Sequence, residues 1–89
     1  MDKQAKIVVL TQGFVVAGLV EEHTTGALTI YAASVIRLWG TTKGLGELAF
    51  NGPTQKTVLD PAGIVDVPSH AVVMQITIKS DPKLWGWTI

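Results

Sequence analysis

The chain contains no cysteine, which excludes disulfide bonds, thiolate nucleophiles and zinc–thiolate sites. It also lacks a surplus of either charge, since seven Lys and Arg residues balance seven Asp and Glu residues, and only 16% of the chain is charged. Domains that bind nucleic acid usually have a basic surplus, because contacts with phosphates supply most of their affinity. The balance therefore argues against strong nucleic-acid binding.

Long apolar runs are absent as well. The longest are strand-sized, at residues 7–10, 14–20 and 71–74, whereas a membrane-spanning helix needs roughly 20 apolar residues. The opening residues, MDKQAK, do not have the apolar core of a signal peptide. We therefore expect a cytoplasmic protein that is neither secreted nor inserted in a membrane.

The chain is rich in hydrophobic residues. We expect residues 1–89 to form a single domain with a short C-terminal tail at residues 80–89, because a chain of this length supports only one core. Hydrophobic residues make up 47% of it, more than a domain of this size can hide in its own core. Association into a homo-oligomer is the simplest way to bury the remainder.

Short β-branched runs separated by turn residues predict an all-β fold. These runs lie at residues 7–10, 14–22, 27–33, 35–39, 57–59, 64–67 and 71–79. In the second run, Gly18 predicts a sharp curve or bulge, since a residue without Cβ permits close backbone approach. No helix of normal length is predicted, so we expect a small, strongly bent barrel of five or six strands.

Turn residues predict two hairpins. Residues 23–26 close the first, with Gly26 at positive φ. The second turn is Asp60-Pro61-Ala62-Gly63, whose proline and glycine match a type I turn. Alternation along the strand after the first hairpin puts three residues on one face: Leu28, Ile30 and Ala32.

Residues 40–57 are rich in glycine and predict an excursion between the middle strands of the barrel. We expect Leu45, Leu48 and Phe50 to fasten this excursion to the barrel. Its first residues, GTTKG, have the composition of a phosphate loop but not the spacing of the Walker motif, nor its Lys-Ser/Thr pair. A surface loop is therefore the better interpretation.

No group of residues predicts a catalytic, cofactor or metal site, so we interpret the chain as a non-enzyme without a cofactor. His23 and His70 are the only histidines, and no carboxylate lies at ligand spacing from them. No serine lies in a nucleophile motif. Aromatic residues concentrate at association surfaces, and we assign the tryptophans to such a surface: Trp39, Trp85 and Trp87.

Residues 10–32 resemble the first signature of the Sm-like family of small bent β-barrels. That signature has a leucine, two residues, a glycine and a second glycine five positions later, then a hairpin and a strand of alternating aliphatic residues that reaches an alanine. The matching residues here are Leu10, Gly13, Gly18, Leu28, Ile30 and Ala32. The resemblance implies a barrel that assembles into rings and, in many members of the family, binds RNA.

The chain departs from the family at both of its loop motifs. Its hairpin loop, residues 23–27, is shorter and lacks the aspartate and asparagine that help to hold RNA bases. Where the family has Ile-Arg-Gly before the last strand, this chain has residues 68–71, PSHA, and Ile36-Arg37 lies too early to replace it. The later part of the chain is similar to small Sm-like proteins from phages and environmental sequences, which implies the cytoplasm of a host cell.

Three residues are the candidates for nucleic-acid binding: Tyr31, Arg37 and Lys43. A tyrosine on a curved sheet can stack on a base, and the two cations can contact phosphates. Each also has a structural explanation. Tyr31 can lie at a subunit contact, Arg37 can pair with an acidic neighbour, and Lys43 can be solvated.

These observations predict a non-enzymatic Sm-like ring of about five to seven copies. Its other candidate partner is RNA or single-stranded DNA, bound weakly. A second hypothesis is a structural or assembly protein of a phage particle, in which the ring itself is the working part. A third is a small-ligand module with a pocket between subunits.

Overall fold

Residues 3–87 are described by a computed structural model, and their fold is mostly β. The strands are β1 (Gln4–Leu10), β2 (Val15–Glu22), β3 (Leu28–Leu38), β4 (Val58–Val67) and β5 (Val72–Thr77). They form one antiparallel sheet in the order β4-β3-β2-β1-β5. The predicted all-β class is confirmed. Within the described residues the sheet is open, with β4 at one edge and β5 at the other.

Within residues 3–87, one α-helix and three short 3-10 helices complete the fold. The helix α1 (Leu45–Asn51) lies between β3 and β4, and the 3-10 turns are Thr11–Gly13, Ser69–Ala71 and Pro82–Trp85. None of the helices in residues 3–87 is long and apolar enough to cross a membrane.

Apolar side chains cover both faces of the sheet, because successive residues of a strand point to opposite faces. On β1, Ile7 belongs to one buried cluster and Val8 to the other. The cluster around Ile7 is covered by α1 and by the C-terminal segment, residues 78–87. The cluster around Val8 lies between β3, β4 and the start of β5. The central strand β2 is consequently buried along six consecutive residues, 15–20.

A β-bulge bends β3 where it crosses β2. The register between the two strands shifts at Gly18, which faces two residues, Ala32 and Ala33. The predicted irregularity at Gly18 is therefore confirmed. The extra residue is Ala32, at φ 50°, and it reverses the alternation, so that Ala33 is buried with Leu28 and Ile30. The prediction that Ala32 shares their face is wrong.

Strand β4 runs through residues 60–63 without reversing direction, so the predicted hairpin turn there is wrong. Asp60 and Pro61 pair with residues of β3, and a register shift leaves Ala62 without a partner in the ladder. Gly63 does have positive φ, at 75°. The turn-like composition produces a second bulge in β4 rather than a reversal of the chain.

The glycine-rich excursion is ordered, and two threonines close its base. The Oγ1 of Thr54 donates to the carbonyl oxygen of Gly40 at 2.7 Å, and the Oγ1 of Thr57 donates to that of Trp39 at 2.7 Å. Gly40 has φ 67° and lies directly against the backbone of residues 56–57, where no Cβ would fit. The start and the end of the excursion are thus held together without a regular strand pair.

One face of α1 fastens the excursion to the sheet. Leu48 and Ala49 are buried, and Leu45 packs against them and the rest of that cluster. Phe50 is 69% exposed, so the prediction that it also fastens the excursion is wrong. In an α-helix the next residue is rotated by about 100°, which turns Phe50 away from the face that holds Ala49.

The C-terminal segment belongs to the core. Trp85 and Trp87 are 8% and 6% exposed, and their rings stack with centroids 5.2 Å apart. The indole of Trp85 donates to the Oγ of Ser80 at 3.0 Å, and that of Trp87 donates to the carbonyl oxygen of Ala32 at 3.2 Å. Their assignment to an association surface is wrong, because they cover the chain's own sheet. Trp39, by contrast, remains exposed.

Candidate functional site

The three candidate residues do not form one site. Tyr31 and Arg37 both lie on β3, six positions apart, which corresponds to about 20 Å along an extended strand. Lys43 lies beyond the end of that strand, in the loop that precedes α1. Each of the three has a different set of neighbours.

Tyr31 is partly buried at the end of the sheet where β2 and β3 are joined. Its hydroxyl donates to the Oε1 of Glu21 at 3.0 Å. The ammonium of Lys3 lies 4.5 Å from the centroid of its ring, within the range of a cation–π contact. The hydrogen bond to Glu21 raises the pKa of the Tyr31 hydroxyl, and the negative charges of Glu21 and Asp66 add to this effect. A base that stacks on Tyr31 must compete with these contacts.

Arg37 is paired with Asp60 across β3 and β4. Its Nε lies 2.8 Å from Oδ2 and its second guanidinium nitrogen lies 3.4 Å from Oδ1. The two side chains are 63% and 48% exposed, so the pair stabilises the fold only slightly. The alternative interpretation of Arg37, as half of an ion pair, is confirmed. A phosphate at this position would have to compete with the Asp60 carboxylate.

Lys43 is exposed in the loop that precedes α1. The Oε1 of Glu47 accepts a hydrogen bond from the backbone N–H of Lys43 at 3.1 Å and one from the hydroxyl of Thr42 at 3.2 Å. A carboxylate of the first helical turn therefore holds the loop residues that precede the helix. This arrangement accounts for the composition of residues 40–44 by hydrogen bonding within the loop.

A hydrogen-bonded chain of three side chains crosses β3 near Tyr31, and the sequence analysis did not assign it. The Oγ1 of Thr29 donates to the Oδ1 of Asp66 at 3.0 Å and lies 2.7 Å from the Nε2 of His23. Because Thr29 uses its only proton on Asp66, it accepts from His23. The hydroxyl thus links Asp66 on β4 to His23 in the loop between β2 and β3.

The register of the strands explains why this group was missed. Thr29 pairs with Glu21 on one side and with Asp66 on the other, a neighbourhood that depends on which strands are adjacent. In residues 3–87, no three histidine or carboxylate side chains are arranged to hold a metal ion.

Two loops meet at this end of the sheet. A Cβ on Gly26, in the loop between β2 and β3, would lie 3.2 Å from the Cβ of Ser69, in the loop between β4 and β5. The predicted positive φ of Gly26 is confirmed, at 89°. The two loops contribute hydroxyl groups and His70, which is exposed, and they contain no arginine or lysine.

Comparison of the chain with protein-family models, with curated proteins and with solved structures found no match.

Proposed function

We propose that this protein is an Sm-like β protein without enzymatic activity, whose copies associate into a ring through the edge strands of their sheets. The observation that supports the proposal is the strand order, which leaves β4 and β5 at opposite edges of one sheet. Each edge strand offers unpaired backbone N–H and C=O groups, which are a template for pairing with another chain.

The side chains on these edges support self-association as well. Ile64 on β4 is 64% exposed, and Met74 on β5 is 51% exposed. Neither edge strand contains a lysine, the residue that most often protects an exposed strand edge. The exposed apolar side chains on these edges are unfavourable in water and become favourable once they are buried in a contact.

Light scattering tests the ring. We expect a stable oligomer of about five to seven copies at micromolar protein concentration, with the symmetry of a closed ring. A monomer over this range would refute the proposal. A dimer of fixed mass would also refute it, because two copies joined edge to edge leave the other two edges unpaired.

We propose further that nucleic acid is a weak partner of this ring. Arg37 is paired with Asp60, the stacking face of Tyr31 is covered by Lys3, and the loops at residues 23–27 and 68–71 contain no cation. Because each copy has no net charge, we expect a dissociation constant that is micromolar or weaker at physiological salt, with a shallow dependence on salt.

Fluorescence anisotropy with short oligo-U and oligo-dT, at several salt concentrations, measures this affinity. Tyr31→Ala weakens binding by about 1–3 kcal/mol if the ring stacks on a base, and Tyr31→Phe, which keeps the ring, serves as the control. Nanomolar, sequence-selective binding would refute the weak-binding proposal. The absence of binding at any salt concentration would favour the second function, a structural or assembly component in which the ring acts alone.

A further inference from the structure

The chain has a single asparagine, and a glycine follows it. Asn51 is exposed as the last residue of α1, and Gly52 is the next residue. An asparagine before a glycine is the pair most prone to spontaneous deamidation in proteins, because glycine has no side chain to hinder attack by its backbone nitrogen. The sequence therefore places a reactive pair at the end of the one α-helix of the described residues.

Deamidation joins the backbone nitrogen of Gly52 to the side-chain carbonyl carbon, Cγ, of Asn51. The nitrogen gives its proton to a base in the solvent, the new N–Cγ bond closes a five-membered succinimide ring, and the side-chain nitrogen takes a proton and leaves as ammonia. Water then opens the ring. Attack of water at Cγ gives aspartate, and attack at the backbone carbonyl carbon gives isoaspartate, whose main chain runs through the side chain of residue 51.

The folded structure keeps the two reacting atoms apart. The succinimide ring is nearly planar, so the nitrogen of Gly52 must eclipse the Cβ of Asn51, whereas the helical ψ of about −42° rotates that nitrogen away from Cβ. The N–H of Gly52 also donates to the carbonyl oxygen of Leu48 at 2.8 Å, and Gly52 is buried. Both features shield its proton from a base in the solvent. The reaction therefore requires the last turn of α1 to open.

The C-terminal segment holds this turn closed. The carbonyl oxygen of Ala49 accepts hydrogen bonds from the backbone N–H groups of Lys79, at 2.7 Å, and Ser80, at 3.0 Å. The side chain of Leu84 lies against Gly52, where an added Cβ would be 3.0 Å from the Leu84 Cδ1. Leu84 is 58% exposed, so it adds little to the core, but it covers the backbone at which the reaction starts.

We propose that Asn51 is a deamidation site that is closed in the folded protein and becomes reactive when the last turn of α1 opens. The product prevents the turn from closing as before. A carboxylate at position 51 lies at the negative end of the helix dipole, where it is unfavourable. In isoaspartate the main chain is longer by one carbon atom, so the N–H of Gly52 no longer meets Leu48 in helical register. The change is irreversible and does not depend on the proposed ring.

Mass spectrometry during incubation at mildly alkaline pH measures the conversion, because it replaces an NH2 group with OH. We expect the wild type in guanidinium chloride to convert at least about tenfold faster than the folded protein, the factor for an opening free energy of about 1.4 kcal/mol. Asn51→Gln should not convert over the same period, since the longer side chain must close a less favourable six-membered ring. Equal rates in the folded and unfolded wild type, no conversion of the unfolded wild type, or conversion of Asn51→Gln would each overturn the proposal.

Leu84→Ala tests whether the C-terminal segment controls the opening. It uncovers Gly52 and leaves the Asn-Gly pair intact, so the folded variant should convert roughly threefold faster than the wild type, because Leu84 is partly buried against Gly52. Leu38→Ala is the matched control, the same substitution at a residue of β3 that is 54% exposed, and it should convert at the wild-type rate. Circular dichroism establishes that both variants are folded. A wild-type rate in Leu84→Ala, or equal acceleration in Leu38→Ala, would overturn the proposed control by the last turn of α1.

Discussion

A side chain at position 18 should destabilise the fold. A Cβ added to Gly18 would collide with the Cγ2 of Ile30 and would lie 2.8 Å from the carbonyl oxygen of Tyr31 and 3.2 Å from the Cα of Ala33. Ile30 is fully buried, so its methyl group has little room to move. The carbonyl of Tyr31 and the Cα of Ala33 belong to the backbone at the bulge, and moving them would disturb the ladder between β2 and β3.

The expected cost follows from overpacking a close-packed interior, which is about 1–3 kcal/mol for an added methyl or methylene. Gly18→Ala adds the colliding atom alone, and Gly18→Val adds two further methyl groups and should cost more. In a domain of this size, 1 kcal/mol lowers the melting temperature by about 4–8 °C. Urea unfolding followed by tryptophan fluorescence, at one fixed protein concentration, measures the change.

Gly46→Ala is the matched control for this experiment. Gly46 lies inside α1, and a Cβ there has no other atom within 4 Å. Alanine is favoured over glycine in a helix by roughly 0.5–1 kcal/mol, so this variant should be slightly more stable than the wild type. If Gly18→Ala unfolds at the same urea concentration as the wild type, the close approach of β2 to β3 at the bulge is wrong.

Three further perturbations have defined outcomes. Gly63→Val should destabilise by about 1–2 kcal/mol because of backbone strain at positive φ, whereas Gly63→Asn should cost less, and equal melting temperatures would contradict this. Tyr31 is the only tyrosine, so its ionisation can be followed by ultraviolet difference absorbance, with a midpoint expected above 10.0 and lowered by Glu21→Gln. Since its pKa is raised in the folded state, the stability from this hydroxyl is present below pH 10 and is lost as the pH rises through the folded pKa. Trp87→Phe keeps an aromatic ring but leaves the carbonyl of Ala32 without its donor, which should cost about 1–3 kcal/mol in urea unfolding, and an unchanged midpoint would show that water replaces the indole.

The alternation of apolar residues was sufficient to locate most of the sheet. The strands β1, β2, β3 and β5 were predicted from β-branched runs, and the loop at Gly26 from its turn residues. The predictions failed where the same residue composition suits two different structures. Residues 60–63 have the proline and glycine of a turn, and the same residues serve a bulge on an edge strand, where a missing N–H is tolerated. Only the pairing partner, β3, decides between the two.

Contacts between distant parts of the chain explain the other failures. The tryptophans of the C-terminal segment suit an exposed surface by composition, but the carbonyl of Ala32 offers Trp87 an acceptor that exists only because of the bulge. Tyr31, Arg37 and Lys43 were chosen as exposed groups, yet Arg37 is paired with Asp60 through a register that the sequence does not specify. The local pattern of apolar residues predicts strands. Whether a side chain is free to bind a ligand depends on its neighbours on the adjacent strands.

The position of β1 in the sheet has a consequence for folding kinetics. β1 pairs on one side with β2, its neighbour in sequence, and on the other with β5, so that Lys6 meets Gln75 from 69 positions away. Such distant pairing makes folding slow, on the order of milliseconds to seconds, because a long loop must close before the contact forms. During that time the β1–β2 hairpin exposes an apolar edge to other nascent chains. Refolding yield should therefore fall as protein concentration rises, even under conditions where the native state is stable.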